Sequence, residues 1–173
     1  MSPRARARGL GLALACVVVS PAAGREGGTA ADGWREFAGT WSATGVRQTV
    51  TGEGGVEAAV VDVSGAVVLT SGDGLSRGFS GRAIGYDDGE GRSRGRCVWT
   101  DANGDLVFSR IEGEPLRAAR RVQGTITGGT GRYDGLEGEY SFTWQYVLAS
   151  EGGAIQGRAV ELRGRIRQGE RRP

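Results

Sequence analysis

From residue 34 onward, apolar and polar side chains alternate in short runs, and no stretch sustains the 3.6-residue spacing of an amphipathic helix. Clusters of Gly, Asp and Ser punctuate the runs, the pattern of an antiparallel sandwich or barrel. The alternation predicts eight strands, over residues 39–51, 56–70, 75–86, 94–101, 105–113, 120–128, 138–148 and 154–167. Between the fourth and fifth, Asn103-Gly104 predicts a two-residue hairpin, because a type I′ turn needs positive φ at both central positions. Pro115 falls between strands, where a missing N–H does no harm.

The seventh strand carries the clearest alternation. Tyr140, Phe142, Trp144, Tyr146 and Leu148 share one face, and Glu139, Ser141, Thr143 and Gln145 the other. The eighth sets Val160, Leu162 and Ile166 against Glu161, Arg163, Arg165 and Arg167. One dry and one wet face per strand is what an antiparallel sheet closed on itself requires. Short connections throughout favour an up-and-down meander, so the predicted fold class is all-β, a single eight-stranded antiparallel up-and-down barrel. Glycines inside strands, among them Gly45, Gly65, Gly81, Gly124 and Gly164, suit the bulges and coiling of a small barrel.

The N-terminal segment reads differently. Arg4, Arg6 and Arg8 precede an apolar run from Gly9 to Val19, and Ser20-Pro21-Ala22-Ala23-Gly24 supplies the small residues a signal peptidase accepts. The expected organisation is a signal peptide over 1–24, a disordered leader over 25–36, the barrel over 37–168 and a disordered tail over 169–173. Leu14-Ala15-Cys16 raises a variant in which Cys16 is lipidated after cleavage. The expected location is secreted, periplasmic or cell-surface, with no membrane attachment unless Cys16 is lipidated. Export also changes the charge. Removing three of 22 basic residues and none of 20 acidic ones leaves −1, which gives no support for a nucleic-acid partner. Cys97 is then a lone thiol between Arg96 and Val98, expected to be buried and inert.

Gly128-Gly129-Thr130-Gly131-Arg132-Tyr133-Asp134-Gly135-Leu136-Glu137-Gly138 resembles a recurring hairpin of the allene oxide cyclase and dirigent superfamily. There, a G-G-T-G-x-[FY]-x-G-x-x-G stretch links two late strands of an eight-stranded barrel. Arg96-Cys97-Val98-Trp99-Thr100-Asp101, followed by Asn103-Gly104-Asp105, resembles the mid-barrel hairpin of bacterial proteins with that fold. The resemblance implies the barrel and carries no active-site residues onto this chain. Physically, the glycines allow a tight reversal, and Tyr133 can pin the loop to the barrel rim. Gly39-Thr40-Trp41 is similar to the G-x-W of lipocalins and the G-T-W of avidins, and reads as a tryptophan packed at one end of a barrel.

The candidate chemistry is narrow. The chain has no histidine, which removes Ser–His–Asp and Cys–His pairs and the usual zinc sites. Gly129-Thr130-Gly131 lacks the G-K-[ST] and the following helix of a phosphate loop. Asp101, Asn103, Asp105 and Glu112 match positions one, three, five and twelve of a calcium loop, but Leu106 stands where the turn glycine belongs. No cofactor and no metal are therefore expected.

The fifth strand has two registers. With Leu106 and Phe108 inward, Arg110 and Glu112 also enter the barrel, beside the Tyr140 or Tyr146 hydroxyls; in the other, Val107 and Ile111 point inward and the charges meet water. The candidate ligand-facing set is Trp41, Trp99, Phe108, Arg110, Glu112, Tyr140, Phe142, Trp144 and Tyr146. Three functions fit: a barrel that binds a small apolar or aromatic ligand, a cofactor-independent cyclase or isomerase resembling allene oxide cyclase, and a filled structural module that forms homo-oligomers or binds other subunits.

Overall fold

A computed structural model describes residues 33–113 and 120–169. The segment read as a signal peptide, Cys16, Pro115 and residues 170–173 lie outside the described residues. The elements are β1 (Arg35–Thr51), β2 (Glu57–Gly72), β3 (Gly78–Asp87), β4 (Ser93–Thr100), β5 (Leu106–Gly113), β6 (Arg120–Gly129), β7 (Leu136–Ala149) and β8 (Ala154–Gln168), with single 3-10 turns at Glu53–Gly55 and Gly131–Tyr133. Each strand pairs antiparallel with its sequence neighbour, and β8 returns to β1, closing an up-and-down barrel. All eight predicted strands are present.

β1 begins at Arg35, inside the stretch read as leader. Trp34 explains the early start. Its ring lies under the guanidinium carbons of Arg165 and Arg167 on β8, at 4.6 and 4.7 Å. Those arginines are in turn paired with Glu139 and Glu137 on β7. Cation–π contact thus fixes the chain to the outer wall before the first ladder bond forms.

The hairpin between β4 and β5 differs from the predicted two-residue turn. Gly104 has φ 85°, but Asn103 does not have positive φ. The Gly104 N–H donates to the Asp101 carbonyl and the Asp101 N–H to the Asp105 carbonyl, which makes a three-residue loop with a left-handed glycine at its end. The Asp101 carboxylate selects this form, because its Oδ1 accepts the N–H groups of both Asn103 and Asp105, at 2.8 and 3.1 Å.

Two bulges shift the side-chain alternation. On β8, the pairing with β1 slips between Gly39↔Leu162 and Trp41↔Ala159. Glu161 takes up the extra residue at φ 55°, the one non-glycine residue with positive φ among those described. Ile155 and Ala159 therefore point inward before the bulge, and Leu162 and Ile166 after it, while Val160 is only half-buried. On β7 a slip between Tyr146 and Leu148 turns Leu148 out of the barrel, leaving it 55% exposed.

An aromatic column runs the length of the barrel. Successive ring contacts, with centroids 5.1–6.2 Å apart, join Tyr133, Phe79, Trp99, Tyr140, Phe142, Trp41, Trp144 and Tyr146. Rings this large fit inside eight strands only where the neighbouring strand they lie over has no side chain. A Cβ on Gly124 would lie 2.1 Å from the Tyr140 ring, and one on Gly157 would lie 2.4 Å from the Trp144 ring. Gly85 is the exception, since a Cβ there would meet only the Arg94 carbonyl oxygen, at 3.5 Å.

Gly124→Ala and Gly157→Ala are each expected to lower stability by about 1–3 kcal/mol through overpacking. Gly85→Ala is expected to be neutral or slightly stabilising. Urea denaturation of the three variants checks both statements.

Candidate functional site

The two ends of the barrel are built differently. At one end, the β4–β5, β6–β7 and β2–β3 connections are stitched together. Tyr133 is fully buried, and its hydroxyl donates to Asp101 Oδ2 at 3.0 Å and accepts the Ser76 N–H at 3.2 Å. Arg132 pairs with the same Oδ2 at 2.9 Å and also bonds the Ser76 hydroxyl. Burial works against the Asp101 charge, but the Asn103 N–H, the Tyr133 hydroxyl, the Asp105 N–H and Arg132 outweigh it and hold the carboxyl below its usual range. Both oxygens of Asp101 are thus occupied by the chain's own donors, and the calcium-like spacing is that of a hairpin cap. Among the described residues, no three His, Cys, Asp or Glu gather in a way that could hold a metal ion. Tyr133 pins its loop to the rim, as its place in the glycine-rich hairpin predicts.

The middle of the barrel is packed and nearly apolar. Its polar side-chain atoms belong to Cys97, Trp99, Ser109 and Tyr140, all buried. The Ser109 hydroxyl lies 2.8 Å from that of Tyr140, and its Oγ reaches the Cys97 carbonyl oxygen at 3.4 Å. Burial pushes the Cys97 thiol up to about 11 against the opposing effect of neighbouring donors, and raises the Tyr140 hydroxyl well above its ordinary value. A thiol so protonated is a poor nucleophile.

The other end holds a cavity of about 50 Å³. Trp41, Phe142, Trp144 and Tyr146 form one side, and Val61, Val63, Ala83 and Ile111 another. Gly85 contributes bare backbone. Exposed Arg94 and Glu112, which face each other across β4 and β5, mark where the cavity reaches the surface. Burial raises the Tyr146 hydroxyl; the charge of Arg47 works against that rise and the charge of Asp87 with it, so all three groups share this end of the barrel. Asp87 is buried and accepts the Gly89 N–H at 2.9 Å.

The sequence-predicted residues separate into three places. Trp41, Phe142, Trp144 and Tyr146 line the cavity. Trp99 and Tyr140 belong to the packed middle. Phe108, Arg110 and Glu112 are not in the interior: Arg110 and Glu112 are exposed, and Phe108 is half-buried on the outer face. Pairing decides this register. Cys97 lies opposite Ser109 and Trp99 opposite Val107, so these share the inner face, while Val98↔Phe108 and Arg96↔Arg110 share the outer one. The apolar character of Phe108 misleads, because the residue placed inside is the small hydroxyl partner of Tyr140.

Arg47 and Asp87 are missing from the predicted set. Their signal was parity. Arg47 falls on the same face as Trp41, Ala43 and Gly45, and Asp87 on that of Phe79, Ala83 and Gly85. Compared with models of protein families, with curated proteins and with solved structures, the chain matches none.

Raising the pH tests the packed middle. Between 9.0 and about 11 the unfolded chain ionises Cys97 while the folded chain keeps it neutral, so stability present below pH 9 declines as pH rises. Tyr140, raised in the same direction, adds to the decline at higher pH. Denaturation midpoints should fall by the equivalent of roughly 2 kcal/mol or more across this window, less steeply in Cys97→Ala. Maleimide labelling of the native protein at neutral pH should be slow.

Proposed function

We propose that this chain is an exported barrel that binds a small apolar or aromatic group at its open end. The cavity beside Trp41, Phe142, Trp144 and Tyr146 carries this reading. Protein interiors close-pack wherever nothing opposes it, and the other half of the same lumen is packed solid. Here the chain leaves glycine at position 85, where a side chain has room. A volume of about 50 Å³ is well below the roughly 150 Å³ of an engineered cavity that takes up benzene, so the guest enters only in part. The basic n-region, apolar run and small-residue site over 1–24 support export. The glycine-rich hairpin and the up-and-down closure support kinship with the allene oxide cyclase and dirigent barrels.

The solid half favours a second reading, a structural module whose cavity is a packing defect. Titration of the native protein with neutral compact probes (indole, benzyl alcohol, isobutanol), followed by tryptophan fluorescence, separates the two. In a binding barrel the signal of Trp41 and Trp144 saturates, and Gly85→Leu abolishes binding while melting at the same temperature or higher. In a structural module no probe saturates, and Gly85→Leu changes stability alone.

A further inference from the structure

On β8, cross-strand arginines face acids: Arg165 lies opposite Glu139 and Arg167 opposite Glu137, each joined by an ion pair. The outer face of β4 and β5 is built the other way. Arg96 lies directly opposite Arg110, with Arg94 two residues along the same strand, and all three are exposed. No ion pair holds any of them among the described residues. Like charges directly opposite one another destabilise a sheet, so the fold itself gains nothing from this cluster. Beside it, the neighbouring strands turn apolar side chains outward. Ile84 faces Arg96 and Tyr86 faces Arg94 across β3 and β4, and Val60 faces Tyr86 across β2 and β3. These three are 48%, 44% and 45% exposed. An open groove joins the two halves, lined by Val60, Ile84, Tyr86, Arg94, Arg96 and Arg110.

We infer that this face docks on an anionic phospholipid surface, with Arg94, Arg96 and Arg110 among the headgroup phosphates and Val60, Ile84 and Tyr86 at the acyl boundary. Contiguous exposed apolar side chains mark interaction surfaces, and a guanidinium fork matches a phosphate. A lipid surface supplies phosphates and apolar chains together and in any register, and a tyrosine suits the level where they meet. A nucleic acid would leave the aliphatic half uncovered. A folded protein would need an acidic and an apolar patch matched to this spacing. The net charge of −1 left after export conceals the cluster, because Arg96 and Arg110 meet only when β4 and β5 pair. Docking through the barrel wall needs no lipid at Cys16. It is also independent of the binding reading above, since the cavity lies on the inner side of the same wall, although Arg94 and Glu112 line both.

The test is cosedimentation of the full chain, produced in an exporting host, with vesicles of mixed phosphatidylglycerol and phosphatidylcholine or of phosphatidylcholine alone. Binding is expected to the anionic vesicles only, and to weaken as salt is raised. Arg96→Gln combined with Arg110→Gln is expected to lower the partition coefficient roughly thirtyfold, about fivefold for each charge near the surface, without lowering the melting temperature. Arg110→Gln alone should give a single fivefold step. Val60→Ser combined with Ile84→Ser should weaken binding at low and high salt alike. The control removes the same charge from β8: Arg158→Gln combined with Arg163→Gln should bind as the wild type does. Equal loss in both arginine doubles, no loss in either, or equal binding to neutral vesicles would overturn the proposal. Failure to bind anionic vesicles would also overturn it, and retention of soluble polyglutamate by the same face would then assign the face to an acidic protein.

Discussion

Eight antiparallel strands closed on themselves enclose a lumen about one layer of side chains wide, and that width governs what can be built inside. A ring pointing inward from one strand must find an empty position on the neighbouring strand it lies over. Tyr140 over Gly124 and Trp144 over Gly157 are two such matches, each too close to admit even a methyl group. The aromatic column from Tyr133 to Tyr146 depends on them. Where a glycine faces open space, as Gly85 does, the same rule produces a cavity.

The two ends of the lumen follow from how the loops are satisfied. At the closed end a single carboxylate, Asp101, takes donors from its own hairpin, from Tyr133 and from Arg132, tying neighbouring connections into one cap. Buried polar groups that are fully paired add rigidity and specify one arrangement. The open end has no comparable cap among the described residues. Its surface is also more apolar: Val46, Val50, Val60, Ile84, Tyr86, Val147 and Leu148 are exposed on the strand halves nearest the open end, against Val68 alone toward the cap.

The strands, their antiparallel order and most of the core were legible in the sequence, because alternation is a local signal that burial on one face enforces. Strand seven shows this best, with Tyr140, Phe142 and Trp144 inside as their spacing predicts. Reading failed where the period slips or where hydrophobicity and pairing disagree. The Glu161 bulge replaces Val160 by Ala159 on the inner face, and the slip near Tyr146 expels Leu148. On β5 the sequence left two registers open, and pairing selects the one with Val107 and Ile111 inward and Arg110 and Glu112 toward water, since cross-strand partners must share a face with Cys97 and Trp99. Arg47 and Asp87 were within reach of simple parity from Trp41 and Phe79, but an inward charge is the residue that a hydrophobic-pattern reading discounts.

The central claim is that one lumen is solid toward the Asp101 cap and hollow beside Gly85. Crystals pressurised with xenon test it without knowledge of any ligand, because xenon enters dry apolar voids of about its own size. Electron density for a single xenon atom is expected between Trp41, Ile111, Phe142 and Trp144, and absent from Gly85→Leu crystals. Xenon among Trp99, Tyr140 and Val107, or no site within the barrel, would contradict the account.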